Sequence, residues 1–133
     1  MLALVTDSTC GLTRNEAAEL GVDVLPMGYS AGVARHAEGF VGENGDYAKA
    51  LSGGGLVTTE AVRPSAFERV FRRHLEAGND VLCVTISSRL SGTFRSAEQA
   101  AEAVGGKGVT VFDSWETAGA LEFLVRRARA LAN

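Results

Sequence analysis

Short apolar runs alternate with helical segments along this chain. The runs "LALVT" (2–6), "VLCVTI" (81–86) and "VTVFD" (109–113) indicate strands buried within a sheet, because a strand that is covered on both faces needs no polar alternation. "VDVLPM" (22–27) predicts a further strand, and Pro26 marks it as an edge strand or a strand end. This alternation predicts an α/β fold, a three-layer αβα domain with a mostly parallel sheet between helices.

Helix signals fill the segments between these strands. Thr13 is the expected N-cap of the first helix, with Glu16 three residues later as in a capping box and Gly21 at the helix end. Pro64 opens a second helix whose apolar positions share one face. Four helices are predicted on this basis, over 13–21, 64–78, 91–106 and 116–132.

The stretch between the second strand and Pro64 has a weaker pattern. Residues 28–45 are rich in glycine and predict a loop or a small hairpin. Residues 46–52 predict a brief helix capped by Asp46. The glycine run and the threonines of 53–64 predict a long ordered loop.

Length and charge limit the classes of function. The chain has 133 residues, enough for one hydrophobic core, so we expect a single domain over 1–133. Its formal net charge of -3 argues against nucleic acid as a partner, because neutralising phosphates needs a basic face. No apolar run in the sequence approaches the roughly 20 residues that span a bilayer, and the apolar start is too short for a signal peptide. We therefore expect a cytoplasmic protein without a membrane span.

The cysteines and histidines do not predict a metal site. A tetrahedral site needs three or four nitrogen or sulfur ligands, and this chain has two Cys and two His in all. Cys83 lies inside an apolar strand and is expected to be a buried, inert thiol, whereas Cys10 follows the first strand in a loop. His74 fits a packed or half-exposed position on a helix, and His36 lies in the glycine-rich stretch.

Polar loops follow the predicted parallel strands at their carboxyl ends. They are 6–9, 87–93 and 113–117, with 58–61 entering the same layer. Ligands of open α/β sheets bind outside the carboxyl ends of the strands. We therefore expect a rim of hydroxyl groups there, with few titratable side chains. Asp7 and Asp113 also follow strands at this edge, and they either orient the loops by capping, the preferred interpretation, or form an acid–base pair.

The joint between the central apolar strand and the next helix offers more hydroxyls than a cap requires. Ser91, Gly92 and Thr93 lie where that helix begins, and one hydroxyl is enough to cap its N–H groups. Ser87 and Ser88 add further donors. A helix N-terminus favours negative charge, and glycine lets a ligand approach the backbone. Plain capping and an anion site are the two interpretations, and the surplus of hydroxyls favours the anion site.

A catalytic serine at this joint has little support. A serine nucleophile needs a base within reach, and neither histidine is close to the joint in the sequence. The sequence also lacks the GxSxG motif of hydrolases and the glycine-rich motifs of nucleotide sites. We predict no catalytic residue and keep an esterase-like enzyme as a minor alternative.

Several stretches, in order along the chain, resemble the DegV family. They are "LVTDST" (4–9), "TT" (58–59) followed by "PSAF" (64–67), "ISSRLSGTFRSA" (86–97) and "VTVFDS" (109–114). The stretch 86–97 matches the family pattern at almost every position. Order and spacing are similar to those of the family's amino-terminal domain, and the resemblance covers essentially the whole chain.

The resemblance implies a fatty-acid-binding protein, a class that includes the lipid-carrying subunit of bacterial fatty acid kinase. It implies a long-chain fatty acid as the ligand, no other cofactor, and a separate kinase that phosphorylates the carboxylate. Carried over residue by residue, it implies Ser91 and Thr59 as ligands of that carboxylate, with Gly92 and Thr93 supplying backbone and capping.

The chain also departs from the family pattern. Glu60 follows Thr59 where the family has serine, and "WETAGALE" (115–122) replaces a glycine-rich stretch. The family's second domain is expected to be absent from 1–133. Since a first domain alone would expose apolar surface, the alternative is a lipid-free regulatory or protein-interaction domain that pairs with a partner or with a second copy of itself.

Overall fold

A parallel sheet of four strands forms the middle layer of the fold. The computed structural model describes residues 1–54 and 56–132. The strands are β1 (Leu2–Asp7), β2 (Val22–Leu25), β6 (Asp80–Thr85) and β7 (Val109–Asp113), in the order β2-β1-β6-β7. Each neighbouring pair is parallel, so all four strands end at the same edge of the sheet. The four predicted strands are confirmed, and Pro26 directly follows an edge strand.

Helices cover both faces of this sheet. The helices α1 (Arg14–Leu20) and α5 (Ala118–Ala132) pack on one face, and α3 (Pro64–Glu76) and α4 (Thr93–Ala103) pack on the other. Successive side chains of β1 point to opposite faces. Val5 lies in one buried cluster with Phe67 of α3. Its neighbour Leu4 lies in the other, with Leu121 of α5. The predicted three-layer αβα architecture is confirmed.

A second sheet is antiparallel and was only partly predictable. It consists of β3 (Gly28–Ala31), β4 (Ala34–Ala37) and β5 (Val57–Glu60), in the order β4-β3-β5. The hairpin of β3 and β4 is one of the two options predicted for 28–45. The prediction of a loop over 53–64 is wrong, because Thr58 and Thr59 lie on β5 and pair with Ser30 and Tyr29. The partner strand is distant in sequence, so local composition did not indicate it. Gly55, within the predicted loop, lies outside the described residues.

Both ends of α1 have the caps that the sequence predicts. The Thr13 hydroxyl accepts a hydrogen bond from the Glu16 N–H, and the Glu16 carboxylate accepts one from the Thr13 N–H. Gly21 ends the helix with φ 63°, in the left-handed region that glycine favours. Local sequence was enough here because both ends of the motif lie within one turn.

The start of α2 (Gly45–Ser52) differs from the prediction. The helix begins one residue before Asp46, so the N-cap position belongs to Asn44. The Asn44 side chain makes no capping hydrogen bond and instead accepts one from the Gly39 N–H at 2.8 Å. Asn44 therefore holds the turn before the helix.

Replacing Phe67 with alanine tests the core on the α3 face. Phe67 is 0% exposed, so Phe67→Ala should leave a cavity and lower the free energy of unfolding by about 3–5 kcal/mol. Phe123→Ala is the matched control, because Phe123 is 67% exposed and its removal should change stability by less than about 0.5 kcal/mol. Urea unfolding followed by circular dichroism measures both, and equal losses would contradict the placement of Phe67.

Candidate ligand site at the carboxyl edge of the sheet

The buried carboxylate of Asp7 ties the ends of β1 and β6 together. Asp7 is 0% exposed. One of its oxygens accepts hydrogen bonds from the N–H (3.0 Å) and the hydroxyl (2.5 Å) of Thr9, and the other accepts one from the Ile86 N–H (2.6 Å). Burial raises the pKa of Asp7, and these hydrogen bonds act in the opposite direction. The preferred interpretation of Asp7 as a residue that orients the loops is confirmed.

Asp113 plays the same part between β6 and β7. One of its carboxylate oxygens accepts hydrogen bonds from the N–H groups of Ser88 and Trp115, both at 3.1 Å. The Ser87 N–H donates to the Glu116 carbonyl at 2.9 Å. These contacts join the loop after β6 to the loop after β7. Asp113 therefore also orients loops, which was the preferred interpretation of this residue.

The Ser91 and Thr93 hydroxyls form a linked pair at the start of α4. Thr93 is 0% exposed, and its Oγ1 accepts a hydrogen bond from the Val62 N–H at 3.2 Å. The two hydroxyl oxygens are 2.9 Å apart, and Ser91 Oγ also accepts from the Thr93 N–H at 3.2 Å. Ser91 therefore satisfies the first N–H of the helix, and the N-cap position itself belongs to Gly92.

This pair can leave a proton of Ser91 available to a ligand. Either hydroxyl can be the donor between them. The Thr93 oxygen accepts from the Val62 N–H. If the Thr93 hydroxyl donates its proton to Ser91 Oγ, the Ser91 hydroxyl proton is free to form a hydrogen bond with another group. Ser91 is half-buried and Gly92 is exposed, so a ligand at the surface can reach both.

The chain after β5 lies beside this loop. A Cβ on Gly92 would be 3.8 Å from the Cβ of Ala61, and Val62 donates to Thr93 as described above. Thr59 is exposed on β5, two residues before Ala61. Among the described residues, no hydrogen bond joins Thr59 to Ser91 or Thr93. The fold brings the segment 59–62 and the loop 91–93 together without linking Thr59 to Ser91 directly.

The carboxylate of Glu60 faces away from Thr59. Neighbouring residues of a strand project to opposite faces, and Glu60 forms an ion pair with Arg35 of β4. A Cβ on Gly28, between these strands, would be 3.3 Å from a Glu60 carboxylate oxygen. Glu60 thus crosses β3 toward Arg35 on the face opposite Thr59.

The two histidines have other partners. His36 stacks on Tyr29, with ring centroids 5.0 Å apart and an angle of 22° between the rings. His74 is half-buried, and its Nε2 lies 2.5 Å from Asp23 Oδ2, which confirms it as a packed helix residue. Within the described part of the chain, neither imidazole forms a hydrogen bond with a serine or threonine hydroxyl. Sequence reasoning missed the Tyr29–His36 stack, which depends on the register of β3 and β4.

Residues 1–54 and 56–132 contain neither a metal-binding cluster nor a membrane-spanning helix. In those ranges, no group of three or more His, Cys, Asp or Glu side chains could hold a metal ion. Across the same residues, no helix combines the length and the apolar character needed to cross a membrane.

A family model described as "Uncharacterised protein, DegV family" matches residues 1–133. The chain belongs to the DegV family. A DegV domain-containing protein of Deinococcus radiodurans is 34% identical over 137 residues, covering 98% of this chain and 46% of that protein. Another, from Halalkalibacterium halodurans, is 35% identical over 115 residues, covering 85% of this chain and 41% of that protein. The chain spans less than half the length of these curated relatives.

Solved DegV structures share this fold. A Thermus thermophilus structure described as "Fatty Acid Binding of a DegV family Protein" is 34% identical, with a TM-score of 0.87 over 98% of this chain and 47% of that one. A Thermotoga maritima protein described as revealing "fatty acid binding function" has a TM-score of 0.88 at 24% identity, over 98% of this chain and 49% of that one. The DegV resemblance and its α/β fold are therefore confirmed.

The backbone is strained in the loop after β7 and at the first residue of α5, where the DegV pattern is glycine-rich. Trp115 and Ala118 have φ angles of 61° and 51°, in the left-handed region that costs a residue with a Cβ about 1–2 kcal/mol. The Arg89 guanidinium lies 4.8 Å from the centroid of the Trp115 ring. That cation–π contact and the hydrogen bonds of Asp113 hold the loop in place.

Replacing Asp7 with asparagine tests the tie between β1 and β6. The amide NH2 of Asp7→Asn cannot accept a hydrogen bond, so a buried N–H loses its partner and the free energy of unfolding should fall by about 1–3 kcal/mol. Asp113→Asn is the matched control. Asp113 is only half-buried, so water can replace the lost bond and a smaller loss is expected. Urea unfolding measures both, and an equal or larger loss in Asp113→Asn would show that Asp7 is not the main tie.

Thiol labelling tests the state of the two cysteines. Burial raises the pKa of Cys10 to about 11 and the pKa of Cys83 well above its ordinary value. At pH 8, neither thiol should react rapidly with Ellman's reagent in the folded protein, and both should react after unfolding in urea. Cys10→Ser identifies which thiol contributes to each signal. Rapid reaction of the folded protein would contradict the burial of these thiols.

Proposed function

We propose that this chain binds a long-chain fatty acid and holds its carboxylate at the Ser/Thr rim, with Ser91 and Thr59 as ligands. The observation that carries the proposal is the hydroxyl pair at the start of α4, in which Ser91 can offer its proton outward. The 34% identical Thermus thermophilus structure, described as fatty acid binding, supports the choice of ligand.

The electrostatics of this rim suit a carboxylate. The N-terminus of α4, an 11-residue helix, carries partial positive charge and N–H groups without partners inside the helix. Gly92 lets the ligand approach the backbone, and Thr93 anchors Ser91 from below through its buried hydroxyl. The nearest acidic residue in sequence to Thr59 is Glu60, and Arg35 neutralises it on the other face of β5.

The proposed role is to present the acid to a separate kinase, and the chain performs no chemistry itself. A serine attacks a substrate only when a base removes its proton. In the described part of the chain, Ser91 has no imidazole or carboxylate as a hydrogen-bond partner, and the Asp7 oxygens already accept from Thr9 and Ile86. Hydroxyls without a base hold an anion and do not attack it. We place this DegV domain, over 1–133, in the cytoplasm.

A second function is favoured by exposed apolar residues near the rim. Phe112, Trp115 and Phe123 are each more than half exposed, and Phe112 and Phe123 line a pocket of about 480 Å³ beside α5. Apolar patches of this kind mark interaction surfaces. The alternative is therefore a lipid-free interaction domain that pairs with a partner protein or with a second copy of this chain.

Native mass spectrometry of the purified protein separates the two functions. A co-purified mass equal to that of one long-chain fatty acid is expected if the chain binds lipid. A ligand-free protein that stays dimeric, and that takes up no oleate when oleate is added, would contradict the lipid-binding proposal and support the interaction domain.

Replacing Ser91 with alanine tests the carboxylate ligand. A hydrogen bond to a charged group contributes about 1.5–3 kcal/mol, so Ser91→Ala should weaken oleate binding roughly 10- to 100-fold in a fluorescence competition assay. Ser88→Ala is the matched control, since Ser88 is an exposed serine of the same loop and its loss should leave affinity unchanged.

Two further measurements separate ligand contact from folding. Ser91→Thr retains the hydroxyl and should retain most of the affinity. Urea unfolding of each variant shows whether the loop still folds. Unchanged affinity in a folded Ser91→Ala variant would show that Ser91 does not bind the carboxylate.

A further inference from the structure

A separate pocket lies on the face of the small sheet that carries Glu60. It has a volume of about 390 Å³ and lies between that face and the first turns of α3. Its charged and hydroxyl-bearing lining comprises Arg35, Glu60, Arg63, Ser65 and Arg69. Thr59 projects from the opposite face of β5, and neither Thr59 nor the loop 91–93 is among the residues that line this pocket.

The pocket has a positive charge in a chain whose net charge is negative. Three guanidinium groups line it, and Glu60 is the single carboxylate among its lining residues in the described part of the chain. The whole chain has a formal net charge of -3. Glu60 is already ion-paired with Arg35. The excess positive charge therefore comes from the other two arginines.

Arg63 and Arg69 are the groups available to an anion. Both side chains belong to exposed residues at the start of α3, and neither forms an ion pair with any residue that the structure describes. Arg35, the third arginine that lines the pocket, is already paired with Glu60. A concave surface lined by guanidinium groups without carboxylate partners attracts anions.

We propose that this pocket binds a phosphate group, either as inorganic phosphate or as a phosphomonoester. Guanidinium groups match phosphate oxygens in pairs and bind them through charge-assisted hydrogen bonds. A dianion can satisfy both Arg63 and Arg69, and the Ser65 hydroxyl is a further donor at the same surface. The proposal does not rest on fatty acid binding, because it uses neither Ser91 nor Thr59, the proposed ligands of the carboxylate.

A titration of the folded protein with sodium phosphate at constant ionic strength tests the site. Two-dimensional NMR spectra of 15N-labelled protein should show saturable shifts of the Arg63 and Arg69 signals. Arg63→Gln and Arg69→Gln should each weaken binding about tenfold or more, since each removes a charge-assisted contact. Arg127→Gln is the matched control, because Arg127 is an exposed arginine on α5, away from the pocket lining.

A variant with the opposite expected effect strengthens the test. Glu60→Gln removes the carboxylate of the pocket and releases Arg35 from its ion pair, so phosphate binding should become tighter. Ser91→Ala should leave phosphate affinity unchanged, which separates this site from the fatty acid site. A parallel titration with methyl phosphate distinguishes the two ligand sources, because tighter binding of methyl phosphate indicates an ester and tighter binding of inorganic phosphate indicates the free ion.

Three results would overturn the proposal. They are shifts that do not saturate, an equal weakening in Arg127→Gln, or weaker phosphate binding in Glu60→Gln. The two arginines are exposed, so their replacement should not disturb the fold, and unchanged NMR dispersion checks this.

Discussion

The carboxyl edge of the sheet depends on one buried carboxylate. Asp7 has no solvent contact and accepts hydrogen bonds from the turn after β1 and from the backbone at the end of β6. Burying a carboxylate is unfavourable unless donors surround it, and here the donors come from two different strand ends. The interaction therefore sets the position of Ile86, and through it the start of the loop that carries Ser91. Asp113 repeats this arrangement on the outer side of β6 with a more exposed carboxylate.

A second constraint connects the two sheets. The buried Thr93 hydroxyl accepts from the Val62 N–H and contacts the Ser91 hydroxyl. The Thr93 side chain thus links the start of α4 both to Ser91, a proposed ligand of the carboxylate, and to the segment that follows β5. Because this segment runs on from a strand, Thr59 and Glu60 point to opposite faces. Thr59 and the arginine-lined pocket therefore lie on opposite faces of β5, while Ala61 and Val62, which line the pocket, also contact Gly92 and Thr93.

Local sequence predicted the features whose partners lie within a few residues. The capping box of Thr13 and Glu16, the helix start at Pro64 and the buried strands all depend on neighbours within one turn or one strand. The same reasoning failed where the partner is remote. The loop expected at 53–64 contains β5, because its register with Tyr29 cannot be read from either segment alone. Asp46 was a plausible cap by composition, but the backbone placed Asn44 at that position.

The sequence by itself determined the layered α/β architecture and the collection of hydroxyls at one strand end, because hydrophobic periodicity and capping are local properties of the chain. The motif 86–97 also carried enough of the DegV pattern to identify the family. Only the tertiary structure decided which way the polar side chains point. In the folded chain, Glu60 pairs with Arg35, and Arg63 and Arg69 line the same pocket as Glu60. Those contacts join residues from separate elements, and their geometry follows from strand register and packing, which no local pattern encodes.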